Sequence, residues 1–202
     1  MSDMVPLPNS TCRATWCTTQ VQRPNKYDGY CTHCFSNLFQ DDERTSKIRA
    51  KTKEKLVRDT INENFEGFEH DKPIAWNVEC DCTMRRRIDH RKLIDGTMLA
   101  IETDEHQHRS YDAEDEENRY EDVFVGAHSG KWIFIRFNPD AYTDSKGIKH
   151  KGMFDSKGLR NGHEVERRMK ILIDEIKKQI KRITSNENTE FLEITKLFYD
   201  RF

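Results

Sequence analysis

The sequence predicts an α/β (α+β) domain that follows a small cysteine-rich segment. Three observations lead to this prediction. Apolar residues recur at helical spacing in two separate segments, strand-like runs lie between them, and four of the six cysteines fall within the first 34 residues. We therefore divide the chain into the cysteine-rich segment, residues 1–43, and the α/β domain, residues 44–202.

The composition suits one moderate domain with a small appendage. The chain has 202 residues, of which 35% are apolar and 35% are charged, and its formal net charge is -2. This charge excludes a protein that binds nucleic acid as a uniform polycation, but it is compatible with a locally basic groove. No apolar run reaches the roughly 18 residues of a membrane span, and the first residues do not resemble a signal peptide. We expect an intracellular protein without a membrane partner.

The four N-terminal cysteines have the spacing of a structural zinc site. Cys12 and Cys17 form one pair, and Cys31 and Cys34 form the second. Two loops that each present two thiolates can hold a tetrahedral zinc ion, which supplies folding energy to a segment with little apolar periodicity. The alternatives are four free buried thiols in a docked segment, or a site in which His33 replaces one thiolate. A surface position suits His33 better, and the other two cysteines complete no such pattern, so we interpret them as structural: Cys80 and Cys82.

Two helices are predicted before and after a pair of strands. The first covers residues 46–65, where apolar side chains fall on one stripe and Lys and Arg on the other side. The second begins at an N-cap, Asp112, continues through an acid-rich first turn and ends near Val125. A short strand is expected at residues 74–76.

The pair of strands forms a hairpin, residues 88–94 and 97–103, around Asp95-Gly96. Both turn positions tolerate positive φ, which favours a tight turn. Counting outward from this turn places Asp89 opposite Glu102. The register therefore brings two carboxylates together at the end of the hairpin.

The second half of the chain begins with residues 131–137, a β-branched and aromatic run typical of a buried central strand. Residues 141–162 are predicted to be a long basic loop, which in a compact domain is usually functional or disordered. Apolar residues at spacings of three and four then predict the clearest amphipathic helix, residues 165–183. Residues 191–199 are expected to be an edge strand or a docking segment, and we identify no internal repeat.

The polar groups at the hairpin end indicate a metal site. Hard divalent cations such as Mg²⁺ prefer one or two carboxylates that leave positions open for water and phosphate. Each carboxylate also has an ordinary explanation, since Asp89 could pair with Arg87 or Arg91 and Glu102 could face solvent. The gathering of several polar groups at one strand end favours a site: Asp89, Glu102, Asp104, Gln107 and His108.

The same residues carry a family resemblance. The chain resembles the PD-(D/E)XK nuclease superfamily, within it the very-short-patch-repair-like branch, and it is similar to uncharacterised proteins of large nucleocytoplasmic DNA viruses in which a zinc knuckle precedes the domain. The motifs that carry the resemblance are Arg-Arg-Ile-Asp (86–89), Leu-Ala-Ile-Glu-Thr-Asp-Glu-His-Gln-His (99–108), Tyr-Asp (111–112), Glu-Asn-Arg (117–119), Phe-Ile-Arg-Phe-Asn-Pro-Asp (134–140) and the knuckle Gly-Tyr-Cys-Thr-His-Cys-Phe (29–35).

The resemblance implies a restriction-endonuclease-like mixed sheet flanked by helices, with Asp89 and Glu102 as ligands of Mg²⁺ or Mn²⁺. Asp104 stands where the superfamily has a lysine, and it is a candidate third ligand. Gln107 and His108 are the nearest replacements for that lysine, with His108 able to act as a general base. Candidate nucleic-acid contacts are Arg85, Arg86, Arg87, Arg119, Arg136, Lys149 and Lys151.

We therefore expect a metal-dependent nuclease that hydrolyses phosphodiester bonds of DNA or RNA, with DNA as the expected partner and a homodimer as a candidate assembly. The alternative is a catalytically inactive module that keeps the nuclease fold and the knuckle to bind nucleic acid or a protein, for instance as a structural viral component. The missing lysine and the near-neutral net charge favour this alternative. For a viral protein the expected location is the host cytoplasm or nucleus, or the virion.

Overall fold

The structure is a computed structural model, and it describes residues 10–15, 17, 19–22, 24–46, 48, 52–75, 84–108, 120 and 130–201. The N-terminal part holds two short strands, a 3₁₀ turn at Pro24–Tyr27 and two helices: β1 (Ser10–Thr11), β2 (Gln20–Val21), α1 (Thr32–Leu38) and α2 (Glu43–Ser46). The later helices and strands are, in chain order, α3 (Thr52–Asn64), β3 (Glu69–Ala75), β4 (Met84–Ile94), β5 (Thr97–Thr103), β6 (Lys131–Phe137), β7 (Tyr142–Thr143), β8 (Lys149–His150), α4 (Gly162–Thr184) and β9 (Leu192–Leu197), and a second 3₁₀ turn, Glu105–His108, follows β5.

A five-stranded mixed sheet forms the centre of the molecule, with the strand order β3-β4-β5-β6-β9. The pairs β3-β4 and β4-β5 are antiparallel, whereas β5-β6 and β6-β9 are parallel. The carboxyl ends of β5, β6 and β9 therefore lie at one edge of the sheet. This edge is where Glu102 and Arg136 stand side by side in the parallel register.

Both faces of the central strands are covered. On one face, Leu99 of β5 and Ile133 of β6 pack in a core with apolar residues of α3 and α4, such as Val57 and Leu172. On the other face, a smaller cluster packs around Trp132, with Ile88, Ala100 and Phe134. The prediction of an α/β domain with a mixed sheet and flanking helices is confirmed at this level, because helices pack on the sheet and both pairing directions occur.

Most of the individual strand predictions agree with the structure. The hairpin turns at Asp95-Gly96, where φ is +44° and +76°, and its pairing runs from Ile94↔Thr97 to His90↔Ile101 as the register requires. The strand β6 lies between two others, and β9 is an outermost strand of the sheet, as expected. The short strand predicted at residues 74–76 is longer and begins at Glu69, while Trp76 lies outside the described residues.

Two of the three predicted helices are present in the described residues. The helix expected over residues 46–65 is α3, which begins later, at Thr52, and the helix expected over 165–183 is α4. The helix expected from Asp112 to Val125 lies outside the described residues, apart from Tyr120, which is helical.

The segment expected to be a long loop consists of two consecutive hairpins. In the first, β7 pairs with β8; in the second, Phe154 pairs with Arg160. Our expectation of no internal repeat is wrong here, because both turns have the sequence Asp-Ser-Lys-Gly-aliphatic-basic, at residues 144–149 and 155–160.

A buried guanidinium holds the base of these hairpins. Arg168 of α4 is fully buried, and its Nη1 donates to the carbonyl oxygens of Asn138 and Asp140, each at 2.8 Å. Its Nη2 donates to the carbonyl of Lys151, and its Nε donates to the carboxylate of Glu164 at 3.1 Å. The segment after β6 is thereby fixed to the long helix.

Among the helices of the described residues, none is long and apolar enough to cross a membrane.

The packing of α4 on the sheet predicts a strong asymmetry between two neighbouring residues of this helix. Replacing Leu172, which is 0% exposed, by alanine is expected to lower the free energy of unfolding by about 2–5 kcal/mol, because it opens a cavity in the core. The matched control is Ile171→Ala, at a side chain that is 37% exposed, with an expected loss below about 1 kcal/mol. Urea unfolding measures both. Equal losses in the two variants would contradict the packing of α4 described above.

Candidate functional site

The four N-terminal cysteines converge on one point. Their Sγ atoms all lie within 4.8 Å of one another, and all four side chains are buried. Cys12 follows β1, Cys31 is the N-cap of α1, and Cys34 lies in the first turn of that helix. This group can hold a metal ion, and it is the only set of three or more Cys, His, Asp or Glu side chains at such distances within the described residues.

Backbone donors face the sulfur atoms. The N–H of Cys31 donates to Cys12 Sγ at 3.2 Å, and the N–H of Cys34 donates to Cys31 Sγ at 3.4 Å. Hydrogen bonds from the Cys34 thiol, and then from its N–H, lower the pKa of the Cys31 thiol. These donors favour the thiolate of Cys31, the form that binds metals, whereas burial raises the pKa of the Cys12 thiol and the hydrogen bond with Cys31 raises that of the Cys34 thiol.

An aromatic core supports the same segment, although its sequence has little apolar periodicity. Phe35 is 0% exposed, and its ring lies 4.8 Å from the ring of Tyr27 and 5.0 Å from that of Phe39. The cysteine group is therefore one side of a small folded unit.

This unit contacts α3 and the outermost strand β3. Arg58 of α3 donates from Nη1 to the carbonyl of Ser36 and to Asn37 Oδ1, both at 2.9 Å. His33 Nε2 contacts the carboxylate of Asp71 in β3, so His33 faces this contact, and it is not a member of the cysteine group.

Arg87 also contacts Asp71. Its Nη1 donates to Asp71 Oδ2 at 2.5 Å, and the side chain is only 24% exposed. This predicted nucleic-acid contact is thus placed between the cysteine unit and the sheet. The side chains of Arg85 and Arg86 lie outside the described ones.

The predicted carboxylate pair occupies neighbouring strands. Asp89 Oδ2 accepts the backbone N–H of Thr103 at 2.9 Å, which places the Asp89 side chain beside the end of β5. Glu102, the residue before Thr103, is only 3% exposed. A carboxylate this deeply buried is costly unless a cation or donors face it, so Glu102 is not an ordinary solvent-facing strand residue.

Asp104 is fully buried and belongs to a network of side chains. Its Oδ2 accepts from Arg136 Nε at 2.5 Å and from the hydroxyl of Tyr199. Arg136 is itself 2% exposed and donates from Nη1 to the hydroxyl of Tyr120 at 2.8 Å. Asp104 thus fixes the guanidinium that stands next to Glu102 in the register of β5 and β6.

The ligand atoms of Asp89, Glu102 and Asp104 do not form a group of three within the distance that the cysteines meet.

Gln107 connects distant segments, since its Oε1 accepts the N–H of Asp200 at 2.9 Å and its Nε2 donates to the carbonyl of Ala141 at 3.5 Å. The side chain of His108 and the whole of Arg119 lie outside the described part.

A lysine that sequence reasoning missed lies at this edge. Lys53, near the start of α3, contacts Asp140 Oδ1 at 2.7 Å and Glu105 Oε2 at 3.3 Å. Its side chain is 19% exposed. In the sequence it is one of several basic residues on the polar side of a helix, so only its tertiary contacts distinguish it.

A histidine pair joins the neighbouring strands β3 and β4. Nδ1 of His70 is 2.9 Å from Nδ1 of His90, and Nε2 of His70 is 2.8 Å from Asn62 Oδ1. An amide oxygen only accepts, so Nε2 of His70 carries the proton and its Nδ1 accepts from His90. Burial, and then the charge of Arg58, lower the pKa of His70 to about 4.

Comparison with known proteins gives no match for this chain among protein-family models, curated proteins or solved structures.

The histidine pair predicts a loss of stability in mild acid. The pKa of His70 in the folded state, about 4, lies below its ordinary value of 6.5, so the unfolded chain binds this proton more readily. The contribution of neutral His70 to the free energy of unfolding is complete above pH 6.5 and is lost as the pH falls towards 4. We expect it to be on the order of 1–2 kcal/mol, because water screens part of the effect at a half-buried side chain.

Urea unfolding at neutral and acidic pH measures this loss. The variant His70→Gln should reduce the difference in the free energy of unfolding between neutral and acidic pH. The control His163→Gln, at a side chain that is 84% exposed, should leave this difference unchanged. A pH dependence that is identical in both variants and the parent would contradict the assignment.

Proposed function

We propose that this protein is a metal-dependent nuclease of the restriction-endonuclease-like kind, with Asp89 and Glu102 as the ligands of one Mg²⁺ or Mn²⁺ ion. The observation that carries the proposal is the hydrogen bond from the Thr103 N–H to Asp89, beside the buried Glu102. Asp89 and Glu102 lie on adjacent strands, and carboxylate oxygens are the ligands that these hard cations prefer. A bound ion of this kind would supply an activated water and neutralise charge on the phosphate.

The neighbouring side chains have supporting roles in this proposal. Arg136 provides positive charge next to Glu102, and Asp104 and Tyr120 fix its guanidinium in place. A preorganised cation can stabilise the charge that develops on a phosphate. Asp104 is then a positioning residue rather than a third metal ligand, since Arg136 and Tyr199 both donate to its Oδ2.

A second candidate function is binding without catalysis. It is favoured by Asp104, because this carboxylate takes the place of the superfamily lysine and forms a buried ion pair with Arg136. In this case the edge of the sheet would contact nucleic acid or a protein without cleaving a bond.

Cleavage assays separate the two functions. The parent protein with Mn²⁺ is expected to cut DNA, and Glu102→Gln should reduce the rate at least about 100-fold, since it removes a charged metal ligand while keeping the shape. The matched control is Asp95→Asn, at the opposite end of the same hairpin, where asparagine tolerates positive φ.

DNA and RNA should both be tested, each with Mg²⁺ and with Mn²⁺. Activity that survives Glu102→Gln, or that is absent from the parent with every metal and substrate, would remove the nuclease assignment and leave the binding function.

We further propose that the four cysteines bind a structural zinc ion. Four thiolates around zinc at about 2.3 Å lie roughly 3.8 Å from one another. The Sγ atoms of Cys17 and Cys31 are 3.9 Å apart, which fits this geometry. Zinc would add folding energy to a unit whose own aromatic core is small.

Elemental analysis tests the zinc proposal. The purified chain should contain about one zinc ion, and Cys34→Ser should lower this content and the midpoint of thermal unfolding. The control Cys82→Ser makes the same chemical change outside the group and should keep the zinc. A parent chain that contains no zinc after expression in zinc-supplemented medium, and does not take it up, would refute the proposal.

A further inference from the structure

The two hairpins between β6 and α4 end in turns of the same structure. In each turn an aspartate Oδ1 accepts two backbone N–H groups: Asp144 from Lys146 and Ile148, both at 2.9 Å, and Asp155 from Lys157 and Leu159, both at 2.8 Å. In each turn the following glycine has a φ near +80°, and its N–H donates to the aspartate carbonyl at 3.0 Å. The two turns therefore have the same hydrogen-bonded structure, although they are separated in the sequence.

Each turn presents the same set of side chains to solvent. An exposed aliphatic residue lies at each tip, Ile148 with 54% and Leu159 with 65% exposure. Two exposed cations accompany each of them. In the described part of the chain these cations form no ion pair: Lys146, Lys149, Lys157 and Arg160.

The hairpins begin at the edge of the sheet that carries the carboxylates. The carbonyl of Ala141, just before β7, accepts from Gln107, and Asp140 pairs with Lys53, which also contacts Glu105. The backbone N–H of Thr143 in β7 donates to the carboxylate of Asp200 at 2.7 Å, after the end of β9. The basic turns are thus attached to the segments that follow Glu102 and Arg136.

We propose that these twin turns, residues 144–149 and 155–160, form a clamp that binds the backbone of double-stranded nucleic acid, with Ile148 and Leu159 contacting the groove between phosphates. The inference rests on the proposed nuclease function for the choice of a nucleic acid as the polyanion. Cations on turns of the same structure can contact the regularly spaced phosphates of a duplex. Aliphatic side chains flanked by cations are used in the same way by proteins that contact the minor groove.

The composition of the turns argues against a single strand. Proteins that bind single strands stack the bases on aromatic side chains. Neither six-residue turn contains an aromatic residue. Two rings directly flank the turns: that of His150 is already stacked on Tyr142 at 4.5 Å, and that of Phe154 packs against the core.

The test measures binding without cleavage. The full chain with Glu102→Gln is titrated against a fluorescent DNA duplex over a series of salt concentrations, and fluorescence anisotropy reports the affinity. Lys146→Gln/Lys149→Gln in one turn, or Lys157→Gln/Arg160→Gln in the other, should each weaken binding roughly tenfold and reduce the slope of log affinity against log salt by about 2. Ile148→Ser and Leu159→Ser should weaken binding without changing this slope.

The matched control is Lys177→Gln/Lys181→Gln, which removes two exposed cations from α4. It should leave the affinity and the slope near those of the Glu102→Gln chain. Circular dichroism of each variant shows whether it is folded, and the uncharged changes at Ile148 and Leu159 test the turns independently of net charge.

Three outcomes would overturn the clamp. The turn variants could bind duplex no more weakly than the α4 control, or the turns could matter only for a single strand of the same sequence. Alternatively, the turns could bind phosphatidylserine vesicles while duplex binding is unaffected by their removal, which would assign them to a membrane surface. If the parent chain cuts no nucleic acid but the turn variants lose duplex binding as expected, the clamp stands and the nuclease proposal fails.

Discussion

The pairing of β5 with β6, buried on both faces, is the constraint on which the rest of the structure depends. Ile101 and Ile135 face the helices α3 and α4, while Ala100 and Phe134 face the smaller cluster on the other side. Because the two strands are parallel, both leave the core at the same edge of the sheet. The parallel pairing therefore gathers the polar groups that follow these two strands at one edge of the sheet.

Burial at this edge explains why its charged groups occur in contact with one another. A charge that is taken out of water needs an opposite charge or several donors. Asp104 and Arg136 meet this requirement together, and Tyr199 adds a donor from the segment after β9. Asp104 is thus a buried carboxylate that holds an arginine of the next strand in place.

The sequence was sufficient to predict features that depend on local spacing. The turn at Asp95-Gly96 and the alternation around it set the register of the hairpin, and the spacing of the cysteines predicted their convergence. The partners of Asp104, Arg168 and His70 could not be predicted, because each contact joins elements that are far apart in the chain. Periodicity shows which face of an element is apolar, but it does not show which polar side chains meet at the ends of the elements.

Arg168 connects the candidate site to the paired turns. Its guanidinium donates to carbonyls on both sides of the first hairpin, those of Asp140 and Lys151, and the rings of Tyr142 and Phe198 lie about 5 Å from it. A buried guanidinium with this many acceptors cannot shift without leaving several carbonyls unpaired, which costs about 1–3 kcal/mol for each. The position of the basic turns relative to Glu102 is therefore set by the core of the protein rather than by the turns themselves. In the proposed nuclease, a substrate that contacts the turns would therefore meet the carboxylate edge in an arrangement that the core of the protein sets.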